Sequence, residues 1–338
     1  MSRRKRNRLV LCIGLACCAV AAMIIFAQGL VERNLLRQAT RVQSASAWTW
    51  YDWITNETVL VSQGNEVTND TEVFNLRDGS SSRPPRTGTN ANESIFPEDY
   101  LSPDKRNLCG SGVGSGQLIV NINGSVRRYE DVERILDRPG RFTRDSRYWI
   151  TVRASGPKVC FNTISVTGVK SFEYTNIIAN AHFAQPVVEG VLLNGDILVG
   201  ELEGMPNPRT QITLSVYDLK RAIGVKILHI PLPRESVVFQ TALSPSCRQL
   251  AFVTQDYSHM TGLDSLLERL HVSMVKHRLH LWVSDLEGHD LKCLGTQYVP
   301  LGYPEWPDAI QCLRWLPDGK SISFLTHSAL WKMDTTIN

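Results

Sequence analysis

The sequence predicts an all-β fold, a ring of six four-stranded antiparallel blades, standing behind one N-terminal transmembrane helix. Three observations predict it. Residues 9–27 form an uncharged apolar run behind a basic tail. From Trp48 onward, short apolar runs alternate with clusters of Gly, Pro, Asn, Asp and Ser, the strand-and-turn pattern of β proteins. One strand-turn-strand outline recurs six times at nearly the spacing of a four-stranded blade.

The apolar run, LVLCIGLACCAVAAMIIFA, carries no charge over 19 residues, close to the ~20 helical residues that span a ~30 Å hydrocarbon core. Arg3, Arg4, Lys5, Arg6 and Arg8 precede it, and the first acidic residue is Glu32. That asymmetry predicts a cytoplasmic tail at 1–8 and an extracytoplasmic body, facing the periplasm from a bacterial inner membrane or the cell exterior. A cleaved signal peptide has a shorter apolar stretch and a small-x-small end, whereas this one ends Ile25-Phe26-Ala27. Lipid attachment at Cys17 would place Gly14 at the leading position and leave nine apolar residues after Cys18. Each of these readings puts the body outside the cytoplasm.

Five of the 36 basic residues lie in the tail, so the rest of the chain holds 31 against 33 acidic ones. A near-neutral body offers no electrostatic footprint for nucleic acid. With 43% hydrophobic and 20% charged residues, the chain has the composition of a folded domain with a sizeable core. Cys12, Cys17 and Cys18 lie in the apolar run, leaving Cys109, Cys160, Cys247, Cys293 and Cys312. An odd number in an oxidising compartment leaves at least one free thiol or an intermolecular bond; Cys293 with Cys312 is the pair to test for a disulfide. No C-x-x-C pair suggests a zinc ribbon or a redox motif.

Residues 28–47 read as a juxtamembrane spacer and 48–338 as the repeat domain. The six outlines are WITNETVLVS from Trp53, LSPDKRNLCG from Leu101, FTRDSRYWITV from Phe142, LLNGDILVG from Leu192, LSPSCRQLAFV from Leu243 and WLPDGKSISFL from Trp315. Their structural blade turns centre on Asn56, Asp104, Asp145, Asn194, Ser246 and Asp318, spaced by 48, 41, 49, 52 and 72 residues. A blade runs ~40–50 residues, so the last interval needs an insertion. At about 258–280, Leu263, Leu266, Leu267, Leu270 and Met274 fall on one helical stripe, which predicts an amphipathic helix there.

LSPDKRN, LSPSCRQ and WLPDGKS resemble the serine-proline-aspartate-glycine turn of the WD-like repeats in TolB-type six-bladed β-propellers; FTRDSRY matches in part, WITNETV and LLNGDIL in shape. The resemblance covers about residues 48–335 and implies a six-bladed propeller. It names no activity, because propellers serve many unrelated tasks. TolB itself joins an α/β domain to its propeller, and only the anchor and spacer precede Trp48 here, so its envelope partners do not carry over. The last outline ends in SALWKMD, the third strand of its blade, and an open ring leaves an exposed edge. The segment around 41–50 is therefore expected to supply the missing strand.

No recognisable catalytic set emerges. His271, His277 and His280 read as solvated side chains: on a helix His271 is nearly two turns from His277, and Lys276 and Arg278 disfavour a cation. GSGVGSG at 110–116 leads into a strand, QLIVN, so it reads as a hairpin loop and not a phosphate cradle. There is no Gly-x-Ser-x-Gly elbow. Glu98-Asp99, Glu130-Asp131 and Asp285 read as turn or surface carboxylates. Trp48, Trp50, Tyr51 and Trp53, like Tyr303, Trp306 and Trp315, read as packing between blades, with a sugar or peptide platform as the competing role. Sequons at Asn56, Asn69, Asn92 and Asn123 fall in turns and loops.

The functional expectation is a binding or scaffolding module for protein or glycan partners, held at the membrane by residues 9–27, with no cofactor, metal or nucleic acid. The alternative is an extracytoplasmic hydrolase or lyase with its site in the central channel.

Overall fold

A computed structural model of the chain describes residues 34–63, 70–82, 100–111, 117–121, 126–128, 140–166, 172–179, 185–201, 208–256, 276–300 and 309–336. The alternating runs fold into antiparallel sheets that follow one another along the chain. The first holds β2 (Trp48–Trp53), β3 (Thr58–Gln63), β4 (Asp70–Asn75) and β5 (Ser81–Ser82). The second holds β6 (Tyr100–Leu101), β7 (Asn107–Ser111), β8 (Gln117–Asn121) and β9 (Val126–Arg128). In the third are β10 (Arg141–Phe142), β11 (Tyr148–Ser155), β12 (Lys158–Ser165) and β13 (Phe172–Ile178).

A seven-stranded sheet follows: β14 (Pro186–Val191), β15 (Ile197–Glu201), β16 (Arg209–Asp218), β17 (Ile223–Leu243), β18 (Gln249–Asp256), β19 (Lys276–Asp285) and β20 (Lys292–Pro300). β17 is 21 residues long, far beyond the usual strand. It pairs with β16 from Ile223 to Ser236 and with β18 from Ser236 to Leu243. One strand thus ends one four-stranded unit and begins the next.

The last sheet orders β21 (Gln311–Trp315), β22 (Ser321–Thr326) and β23 (Ala329–Asp334) against β1 (Thr40–Ser44). Thr40 pairs with Lys332 and Ser44 with Ala329, across a bulge between Arg41 and Gln43. The N-terminal segment therefore closes the edge that β23 would otherwise expose. The closing strand is Thr40–Ser44, while Trp48 onward opens the first sheet. Just before β1, the short helix α1 (Leu35–Gln38) is capped by Asn34, whose Oδ1 accepts a 3.0 Å bond from the Leu36 amide. Leu35 is fully buried against Gly295, where a Cβ would stand 2.8 Å from the Leu35 Cα. The segment read as a spacer is, from Asn34 on, part of the folded domain.

The aromatic group around Trp50 is core. Trp48, Trp50, Tyr51 and Trp53 are all buried, and Trp48 meets Phe74 edge-on at 5.4 Å. Tyr51 Oη and Trp53 Nε1 each donate 2.7 Å bonds to Ser323 Oγ on β22, tying the first sheet to the last. Trp315 is likewise buried, and its Nε1 donates to the Ala242 carbonyl at 2.8 Å. Tyr303 and Trp306 lie outside the described residues.

Three expectations need correction. Residues 276–280 begin β19 instead of ending a helix: Leu279, Leu281 and Val283 are buried with the two-residue period of a strand. The rest of the expected helix, and His271 with it, lies outside the described residues. His280 is not solvated; its side chain is 12% exposed and hydrogen-bonded. Cys293 and Cys312 are not joined, and none of Cys160, Cys247, Cys293 and Cys312 forms a disulfide. No helix among the described residues is long and apolar enough to cross a membrane, and residues 9–27 are not among them.

Candidate functional site: a charged central cavity

Each of the six turns joins the first two strands of its unit, because each outline supplies a strand end, a tight reversal and a second strand. Five share one geometry. The residue after the turn centre is left-handed in each: Lys105 (φ 62°), Ser146 (59°), Gly195 (91°), Cys247 (55°) and Gly319 (67°). In two of them a hydroxyl and a carboxylate lock the reversal. Ser102 Oγ donates 2.6 Å to Asp104 Oδ1 and accepts 2.8 Å from the Asn107 amide, and Thr143 does the same with Asp145 and Tyr148 at 2.6 and 3.0 Å. Those bonds hold Asp104 and Asp145 below the usual carboxylate range despite partial desolvation. Ser246 reaches Ser244 Oγ at 3.1 Å; Asn194 and Asp318 accept from the Asp196 and Lys320 amides at 3.1 and 2.9 Å. The Asn56 turn differs, with no left-handed residue after it; its Nδ2 donates 3.2 Å to Asp318 Oδ2 across the junction of first and last sheets. These residues build the scaffold.

A cavity of about 400 Å³ is lined by residues of β2, β6, β10, β14, β17 and β21, and five of the six outlines contribute to its wall. Its charged side chains are Asp52, Lys105, Arg141, Arg144, Glu189 and Arg314, four cations against two carboxyl groups. Asp52 Oδ1 accepts from the Trp53 amide at 2.8 Å and stands 4.0 Å from Arg314 Nε; its Oδ2 accepts from the Leu101 amide at 3.2 Å. Glu189 is 4% exposed and accepts a 2.5 Å bond from Thr241 Oγ1. It fits only because Gly200 has no Cβ, which would stand 2.5 Å from Glu189 Oε1. Burial pushes the Glu189 carboxyl up, and the Arg141 charge and the Thr241 bond offset this only in part. At the rim, Cys247 Sγ lies 3.4 Å from both Arg144 Nη1 and the Val191 carbonyl oxygen, and burial raises its thiol.

Preorganised guanidinium groups in a partly desolvated cavity favour a carboxylate or other anion. Among the described residues, no three His, Cys, Asp or Glu side chains are placed to hold a metal ion.

No family model and no curated protein sequence matches the chain. Among solved structures it is similar to a putative TolB from Agrobacterium tumefaciens, at 14% identity and TM-score 0.48 over 85% of this chain and 90% of that one. It is similar to the β-propeller domain of Cps50 (Swd1) from Myceliophteria thermophila, at 10% identity and TM-score 0.46 over 88% and 98%. It is also similar to oligogalacturonate lyase from Vibrio parahaemolyticus, at 8% identity and TM-score 0.46 over 88% and 91%. The likeness is to β-propellers.

None of the turn residues singled out from the sequence lines the cavity, although their chain neighbours Lys105, Arg144, Cys247 and Pro317 do, and its charged wall was not among them. A signal for part of it exists. Asp52, Arg141 and Arg314 each stand four positions before their turn residue and directly before an aromatic one, Trp53, Phe142 and Trp315. Glu189 breaks that register, since a bulge between Val188 and Gly190 re-aims the strand.

Proposed function

We propose that this chain is a six-bladed propeller, with β17 shared by two blades and β1 closing the last, that binds a carboxylate-bearing partner in its central cavity. It acts outside the cytoplasm, held at the membrane by residues 9–27. The observation that carries the binding reading is the cavity's charge, Lys105, Arg141, Arg144 and Arg314 against Asp52 and a Glu189 held toward its neutral form. The anchor rests on the uncharged run and the five basic residues before it. An acidic peptide segment fits a channel of about 400 Å³ entered past the blade turns.

The test uses the full chain in sealed membrane vesicles of known orientation and a fluorescein-labelled hexaglutamate. Binding is expected at the extracytoplasmic face alone and absent for hexaglutamine. Arg141→Ala should weaken it at least about tenfold, the size of one charge-assisted hydrogen bond. Equal binding of hexaglutamine, or no effect of Arg141→Ala, sinks the cavity reading; binding at the cytoplasmic face sinks the anchor. The enzymatic alternative has one observation in its favour: Asp52 and Glu189 line the same cavity in unlike environments. Cleavage of an acidic oligosaccharide that is lost in Glu189→Gln would replace binding by catalysis.

A further inference from the structure

A second cavity, of about 440 Å³, lies in the blade wall where β17 passes from β16 to β18. A register shift opens it. On β16 one residue stands between Arg209 and Gln211, whereas on β17 four, 232–235, stand between their partners Ser236 and Pro231. The surplus cannot join the ladder and bulges, and a bulge re-aims side chains. Pro231 and Pro233 suit such a stretch, because neither has an amide to lose from a ladder. Three of the four bulged residues, Leu232, Pro233 and Arg234, line the cavity.

The polar groups of the cavity hold one another. His280 lies 3.1 Å from Asp256 Oδ2 through Nε2 and 2.9 Å from Thr296 Oγ1 through Nδ1. Asp256 Oδ1 accepts from Ser236 Oγ at 3.0 Å, and its Oδ2 also accepts from Arg234 Nη1 at 3.2 Å. Trp282 Nε1 donates 2.9 Å to Thr254 Oγ1, which fixes the indole. Burial opposes a charged imidazole, yet beside Asp256 the His280 ring is raised to about 9. At pH 7 the three charged side chains of the cavity, Arg234, Asp256 and His280, therefore carry one net positive charge. The Asp256 and His280 side chains are 5% and 12% exposed, and that of Arg234 is 50% exposed. The charge that meets an incoming molecule is thus a guanidinium.

We propose that this cavity binds a small aryl carboxylate, its ring against Leu232, Pro233 and Trp282 and its carboxylate on Arg234. Small-molecule sites of this volume are mostly apolar with a few placed polar groups, and a tethered indole beside Leu and Pro supplies such a wall. A guanidinium meets a carboxylate through two parallel hydrogen bonds, in the plane both groups share. The net charge opposes a metal ion or an ammonium and matches a monoanion. A neutral sugar would need acceptors for its hydroxyls, and both Asp256 oxygens are already engaged.

The experiment uses the folded full chain and 4-benzoylbenzoate, an aryl carboxylate whose ketone crosslinks to neighbouring C–H bonds under ultraviolet light. Peptide mass spectrometry maps the adduct, and calorimetry gives Kd. Label is expected on peptides carrying 232–236 or 280–282. 4-Benzoylbenzamide, the same body without the charge, should bind at least about tenfold more weakly, the size of one charge-assisted hydrogen bond, and Arg234→Gln should weaken the carboxylate as much. Excess hexaglutamate should not displace the probe. No binding, label confined to channel residues such as Arg141 and Arg144, equal binding of the carboxamide, or displacement by hexaglutamate overturns the proposal even if Arg234→Gln fails to fold. A folded Arg234→Gln chain with an unchanged Kd overturns it as well.

Discussion

Glu189 in the channel and Asp256 in the blade wall are both carboxyl groups taken out of water, each reached by a hydroxyl, and they are driven in opposite directions. For Glu189 burial wins: one Thr241 hydroxyl and the field of Arg141 do not replace the lost solvation, and the carboxyl is raised. For Asp256 burial also pushes upward, but the His280 hydrogen bond and charge, the Ser236 bond and the Arg234 charge outweigh it, and the carboxyl is lowered. What decides the sign is the number of donors aimed at the charged form. The channel raises its carboxyl beside guanidinium groups able to take a ligand's anion, whereas the wall pocket engages its carboxylate in holding an imidazolium.

The sharpest way to break this contrast is Asp256→Asn. It leaves His280 and Arg234 without their counter-charge, and about 3 kcal/mol of stability should be lost in urea unfolding at pH 7. An unchanged midpoint would mean that the wall network contributes little. The next effect is the pH dependence of the unmodified chain. His280 is raised from 6.5 to about 9 in the fold. Its contribution is therefore complete below about pH 6.5 and lost as pH rises through about 9, some ~2–3 kcal/mol over that window. Unfolding midpoints that hold steady from pH 6.5 to 9 would contradict this. The smallest effect belongs to Glu189→Gln, expected within about 1 kcal/mol at pH 7, because the Thr241 bond survives. With a raised folded pKa, the stability Glu189 confers is full below about pH 4.3 and falls as pH rises. The Gln variant should accordingly gain on the unmodified chain between pH 4 and 8, and a loss there would place Glu189 with Asp256.

Much of the fold was legible because turn chemistry is local. A Ser or Thr two residues before an Asp, with a residue able to turn left-handed after it, specifies a reversal wherever it occurs, and Ser102-Asp104 and Thr143-Asp145 are bonded alike. The closing strand was legible for a related reason, since a blade ending on its third strand demands a partner. The helix at 258–280 went wrong at its C-terminal end because short apolar runs fit both periods, and the ladder of Leu279, Leu281 and Val283 against β18 and β20 decided for strand. His280 was misjudged for the same reason: on a helix its neighbours are Lys276 and Arg278, while on β19 they are Asp256 and Thr296, 24 and 16 residues away.

By itself, then, the sequence determined the strand-turn repeat, the all-β class and the isolation of the basic charge before residue 9, because each depends on residues close together in the chain. Only the tertiary structure decided which charges meet. The channel draws Asp52, Arg141, Glu189 and Arg314 from four separate units, and a bulge in β17 brings Arg234 to Asp256. Desolvation and hydrogen bonding act through space, so the character of a carboxyl or a thiol is set where the strands pack.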